Sequence, residues 1–179
     1  MVGFSGELVF GRSGRPLLEA PVFGGVKEDD EGGTTAWWPR PGGWQTLQFH
    51  HDTLRDKPEE VLRAVVEWTG APACVASVHD SSVAVVWGLE PGGDQWDAWL
   101  NLEIAAEMSD RPSSEMDACV PGDASRALAW ARSAGVGPGV DVTTIEEVLR
   151  SHETFVEELF DALLDRLGFP AAVDPEAQD

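Results

Sequence analysis

The chain has 179 residues, and its 32 Asp and Glu against 12 Lys and Arg leave a formal net charge of −20. That imbalance excludes a nucleic-acid binder, which must present a basic surface to displace counterions from phosphates, and it favours long-range attraction of cationic partners. At 42% apolar and 25% charged residues the composition is globular, and a domain of this size buries roughly 70% of its unfolded surface without needing a disulfide staple.

Phe4, Leu8 and Phe10 share one parity within residues 4–11, the alternation of a half-buried strand. After turn residues 12–16, positions 17–23 return as a weaker strand candidate, which Pro21 confines to an edge or an irregular place. Residues 24–43 read as one long loop. It begins with the acidic cluster Glu28, Asp29, Asp30 and Glu31 and runs into the Trp- and Pro-rich stretch 37–44. A connection of that length is usually functional or disordered. Alternation resumes over 44–50. A helix then opens at Pro58, where Glu59 and Glu60 complement the positive helix end, and Gly70 stops it.

The strongest sheet signal follows. Residues 73–78 and 82–89 are apolar and β-branched about the short turn 79–81, and residues 96–100 complete an antiparallel meander after the turn 91–94. Trp87 and Trp96 are expected to face each other across it. From Leu102 the run of Leu, Glu, Ile, Ala and Met predicts a helix behind an Asn101 cap, although a period-two pattern reaches Met108. Asp123 is placed to cap a helix over 124–134, closed by Gly135. Thr143 and Thr144 each stand three residues before a Glu, a capping-box signature. Over 145–167 the apolar spacing predicts one long amphipathic helix ending at Gly168. Residues 1–170 are read as a single domain and 171–179 as an acidic tail.

Two cysteines occur, Cys74 in an apolar run and Cys119 among Ser, Asp, Pro and Gly. Nothing demands a bond between them, which fits the reducing cytoplasm. Residues 1–7 hold neither a basic stretch nor a continuous apolar one, so no secretory signal is expected. The apolar runs fall far short of the roughly 18 residues a membrane span needs.

Tryptophan carries the best binding signal. Trp37, Trp38 and Trp44 are interleaved with Pro and Gly, and proline holds an extended backbone at low entropic cost while Trp brings a large rigid contact area. Beside the acidic cluster they suggest a protein-binding loop. The competing structural reading folds Trp37 and Trp38 back over an open end of the sheet. Trp99 has the opposite parity to Trp96 and puts an indole on the face that carries Asp97 and Asn101, so a helix, a ligand or a partner must cover it.

The four histidines assemble no metal or catalytic site. His50 and His51 are adjacent, so their side chains diverge. His79, Asp80 and Ser81 have the residue types of a hydrolase triad, but consecutive residues cannot form that relay, and they read as a hairpin turn. His152 and Glu153 begin like a zinc-protease helix, yet Val156 stands where the second His belongs. His152 falls on the apolar stripe of the long helix and reads as a packed core or interface histidine. Residues 135–139 lack the Lys-Ser/Thr of a phosphate loop. Carboxylates of the last helix, among them Glu157, Asp161 and Asp165, read as a solvated face, with an electronegative steering surface as the sharper alternative. No catalytic residue, metal ligand or cofactor is assigned.

The fold expected is α+β: an antiparallel sheet of about five or six strands, covered on one face by the C-terminal helices and leaving the other to water or a partner. The leading functional expectation is a cytoplasmic, non-catalytic module that engages a basic protein through acidic surface and the tryptophan loop, with no nucleic acid or membrane involved. In size and charge the chain is similar in general character to immunity proteins that neutralise cationic nuclease or ADP-ribosylating toxins, a likeness with no motif or aligned segment behind it. Two alternatives stand beside it. One is an enzyme or small-molecule binder with a pocket between sheet and helices, walled by Trp87, Trp99 and His79. The other is a structural or regulatory homo-oligomer that covers an exposed sheet face or edge.

Overall fold

Parity decides which side chains share a face of a strand, and here both parities are apolar. The computed structural model describes residues 3–24, 26, 34–54 and 56–169. Within them six strands, β1 (Gly6–Arg12), β2 (Thr34–Pro39), β3 (Trp44–His50), β4 (Ala73–His79), β5 (Val83–Leu89) and β6 (Gln95–Leu100), form one antiparallel sheet in the order β2-β3-β1-β4-β5-β6. The helices are α1 (Pro58–Thr69), α2 (Leu102–Ser109), α3 (Ser113–Ser133), α4 (Val142–Arg150) and α5 (Val156–Arg166). The protein is α+β, as its sequence implies.

Leu8, Phe10, Cys74, Ala76, Val86, Ala98 and Leu100 point to one side of the sheet, where they meet Ala124, Leu128, Ile145, Leu149, Phe160 and Leu163 of α3, α4 and α5. The C-terminal helices therefore cover one face. The opposite face is not left open, because Val9, Leu47, Phe49, Val75 and Leu89 lie on it. They are buried by Val61, Leu62, Val65 and Val66 of α1 and by Leu17, Ala20 and Phe23. Each such Val, Leu or Phe side chain gains about 1.5–3 kcal/mol on leaving water, so a sheet apolar on both faces recruits cover on both. α2 adds a smaller cluster in which Ala105 and Ala106 pack with Val83, Met116 and the half-buried Trp99.

Several local expectations change. Positions 17–23 are two short 3-10 turns, Leu17–Glu19 and Pro21–Phe23, rather than a strand. Their Leu17, Ala20 and Phe23 anchors point the same way at a three-residue spacing, which a strand could not achieve. The loop over 24–43 contains β2, closed onto β3 by Pro41–Gly43, where Gly42 and Gly43 take φ of 85° and 86°. A Cβ on Gly43 would also strike the Ser13 carbonyl, so this tight return depends on glycine. Trp87 lies opposite Asp97 and Trp96 opposite Gly88, which puts the two indoles on opposite faces. α3 begins at Ser113, ten residues before Asp123, and runs through Pro121. Met116, Val120, Ala124, Ala127 and Ala131 form one buried stripe, and that packing outweighs the missing proline donor.

The long helix over 145–167 is two. α4 stops at Arg150 and α5 starts at Val156, with Ser151 extended at ψ 154°. The buried Asn101 holds the break: its amide donates to the Ser82 and Glu153 carbonyls (2.6 and 3.1 Å) and accepts the Glu153 N–H (3.2 Å). The Val156 N–H donates to the Ser81 carbonyl at 2.7 Å. His152 is exposed there, not packed on an apolar stripe. The sequence over 150–154 offers no apolar residue for such a stripe, so a continuous helix would gain nothing by burial across that turn.

Candidate protein-binding edge

β2 is an outer strand of the sheet, and β3 is the only described element packed extensively against it. Trp37 lies opposite Leu47 and Trp38 opposite Thr46, so the two indoles stand on opposite faces of one edge strand. Both remain open to solvent, Trp37 at 51% and Trp38 at 44% exposure. They are not folded back over the sheet.

The hairpin is held from both sides. On the face of Trp37, the buried Gln45 accepts the Trp37 indole N–H at 3.0 Å and the Leu17 backbone N–H at 2.7 Å. Its amide donates to the carbonyls of Arg15 (2.8 Å) and Ser13 (3.2 Å). One side chain thereby fixes the Trp37 ring and the preceding loop together. On the face of Trp38, the buried Arg40 reaches α5, with Asp165 at 2.7 Å and Asp161 at 3.6 Å. A guanidinium in that position stays charged and uses its planar fork on two carboxylates. Neither Gln45 nor Arg40 is visible as a site residue in the sequence, because their partners are distant in the chain.

The remaining expected site residues are dispersed. Trp44 is buried, stacked on Phe10 with ring centroids 5.1 Å apart and packed edge-on to Phe169 at 4.7 Å. It supports the hairpin from beneath and offers nothing to a partner. Its place follows from parity: with Thr46 it faces α5, and the apolar floor there claims the ring. Trp99 is at the far end of the sheet, half-covered by α2. Glu28, Asp29, Asp30 and Glu31 lie outside the described residues.

Residue types that invite catalytic readings are engaged in structure. Asp80 and Ser81 both have positive φ, 51° and 52°, as the central pair of a type I′ turn requires, and the Ser82 N–H closes that turn on the His79 carbonyl at 3.0 Å. The Ser81 hydroxyl accepts the Phe4 N–H (2.7 Å) and donates to Glu157 (2.7 Å), so its acceptor is a carboxylate, not an imidazole. His51 and Asp52 form an exposed pair at 3.4 Å. Burial raises the Glu7 carboxyl above its ordinary range, opposed by His51 and reinforced by Asp52. Burial likewise pushes the Cys74 thiol far up, which makes it inert, and both cysteines are free.

No cluster of His, Cys, Asp or Glu suited to a metal ion occurs among the described residues. A cavity of about 340 Å³ is lined by Glu90, Asp94, Gln95, Trp96, Arg126, Ala129 and Trp130, and one of about 210 Å³ lies beside His152 and Arg150. Trp87, Trp99 and His79 line neither. No helix among the described residues is long and apolar enough to cross a membrane.

Among the described residues, the fold is α+β and the β2 margin of its sheet presents two solvent-exposed indoles. Compared with known proteins, the chain matches no family model, no curated protein and no solved structure.

Proposed function

We propose that this protein is a non-catalytic binding module for a basic protein, engaged through the Trp37 and Trp38 edge and steered by the acidic surface. The observation that carries the reading is the pair of half-exposed indoles on one edge strand. Trp is among the residues most enriched at interface hot spots, and an anchor whose ring is already fixed loses little entropy on binding. Gln45 supplies that fixation for Trp37. The net charge of −20 supports a cationic partner, since opposite fields raise association rates and like fields suppress wrong encounters. A toxin-neutralising role would be one instance of this chemistry.

The test is retention of partners from the native lysate by the wild-type protein and by a Trp37→Ala, Trp38→Ala double variant. A basic protein should be held near physiological salt and released at about 1 M, where the Debye length falls to ~3 Å. The double variant should retain at least about tenfold less. A partner held equally at both salt concentrations, or equally by both proteins, would contradict the proposal.

A further inference from the structure

Unpaired N–H and C=O groups on an edge strand template the addition of another strand, and proteins commonly blunt them with proline, charge or a bulge. β2 has such devices at its ends only: a register shift between Thr34 and Ala36, and Pro39 at its close. The middle of the strand is different. The Arg40 N–H donates to the Trp44 carbonyl at 2.7 Å, and Trp38 lies opposite Thr46 in the same register. Hydrogen-bonded and non-bonded pairs alternate along an antiparallel ladder. Trp37, opposite Leu47, is therefore in a non-bonded pair and turns its own N–H and C=O outward. Pro39 occupies the other outward position, where its missing donor costs the sheet nothing.

We propose that the outer edge of β2 takes up an extended, basic segment of the partner as a further strand, bonded to the Trp37 backbone and laying one cationic side chain against each indole. This inference rests on the reading that the protein recognises a basic partner. Strand addition draws affinity from main-chain bonds and specificity from alternate side chains. Successive residues of an added strand face opposite sides, so one falls beside Trp37 and its neighbour beside Trp38. The Trp37 indole N–H is already given to Gln45, which leaves a π-face rather than a donor for the incoming group. Trp is the best aromatic partner for Lys or Arg. The net charge of −20 repels a second copy of this chain and attracts a cationic strand, which selects a basic segment over self-association.

The probe is the blocked peptide acetyl-Thr-Val-Arg-Arg-Val-Thr-amide. A second copy is N-methylated at both arginine backbone nitrogens, and a third carries Glu for both arginines. Binding to the full chain is followed by NMR through the Trp37 amide and the Trp37 and Trp38 indole signals. The parent peptide should shift all three, the N-methylated copy should bind about tenfold more weakly for its lost main-chain bond, and the glutamate copy should not bind. Trp37→Ala should weaken binding about two- to fivefold through the lost cation–π contact. Trp37→Pro, which removes an outward N–H and no bond to β3, should weaken it about tenfold further. N-methylated and parent peptides binding equally, with Trp37 and Trp38 still perturbed, would overturn strand addition while leaving the basic-partner reading intact. Absence of binding by either cationic peptide at millimolar concentration overturns both. A dimer of the chain that Trp37→Pro dissolves would assign the edge to a second copy and overturn the proposal too. The peptide comparison uses wild-type protein, so it decides the matter even if the proline variant fails to fold.

Discussion

Trp37 and Trp44 belong to one hairpin, yet one faces water and the other lies stacked on Phe10. Composition treats them alike; what separates them is which neighbour waits on their side of the strand. The same is true of carboxylates. Most are solvated, but Glu7 has an oxygen shielded from water without a hydrogen-bond partner, and burial raises its pKa. The folded protein then holds that proton to higher pH than the unfolded chain does. Stability contributed at this position is greatest below the ordinary carboxylate range and falls as pH rises through the window up to the folded value. Glu7→Gln should raise the urea midpoint at pH 7, with a gain in unfolding free energy of less than about 1 kcal/mol because the group is only half-buried and solvent screens it. The gain should vanish below about pH 4, where both states are protonated. A lower midpoint at pH 7 would show that the charged form is paired.

At the scale of elements, the break between α4 and α5 is organised by one side chain from the other end of the sheet. Asn101 sits at φ 61° after β6 and gives its amide to Ser82 and Glu153 instead of capping α2. Asn101→Ala loses these bonds, leaves the Glu153 backbone short of partners and forces a Cβ-bearing residue without a local hydrogen bond into the left-handed region. A loss of about 2–4 kcal/mol is expected by urea denaturation. Asn101→Gly relieves only the backbone part and should be about 1 kcal/mol less damaging. Equal losses would mean that the conformation at 101 is not strained. The gap in apolar residues between Leu149 and Phe155 is legible in the sequence and marks where the stripe fails. The clamp that exploits it is not, since Asn101 and Glu153 are 52 positions apart. β2 was hidden for a related reason: Thr, Trp and Pro flanked by glycines resemble a loop until β3 supplies a partner.

Across the whole molecule, a net charge of −20 must be accommodated by one sheet and its helices. Apart from the buried Arg40 with Asp165 and Asp161, ion pairs such as Arg150 with Asp117 (2.8 Å) and Arg166 with Glu147 (3.6 Å) join side chains that are largely exposed, and such pairs contribute little. Self-repulsion therefore dominates at low salt. Raising ionic strength from about 0.01 to about 0.15 M shortens the Debye length from ~30 to ~8 Å. The melting temperature should rise by about 2–4 °C for each kcal/mol of repulsion so removed. A melting temperature that stayed flat or fell would mean that the acids are locally compensated, which would also weaken the case for steering a cationic partner.

The sequence by itself determined the α+β class, the extent of α1, the meander of β4, β5 and β6 and the acidic field, because periodicity, helix-end residues and charge are local or additive properties. The tertiary structure alone decided that both sheet faces are covered, that Trp44 is core while Trp37 and Trp38 border an open edge, and that Asn101 divides α4 from α5. Those outcomes depend on which segments meet across dozens of residues, and a hydrogen bond or a buried ring has no signature in the chain until its partner arrives.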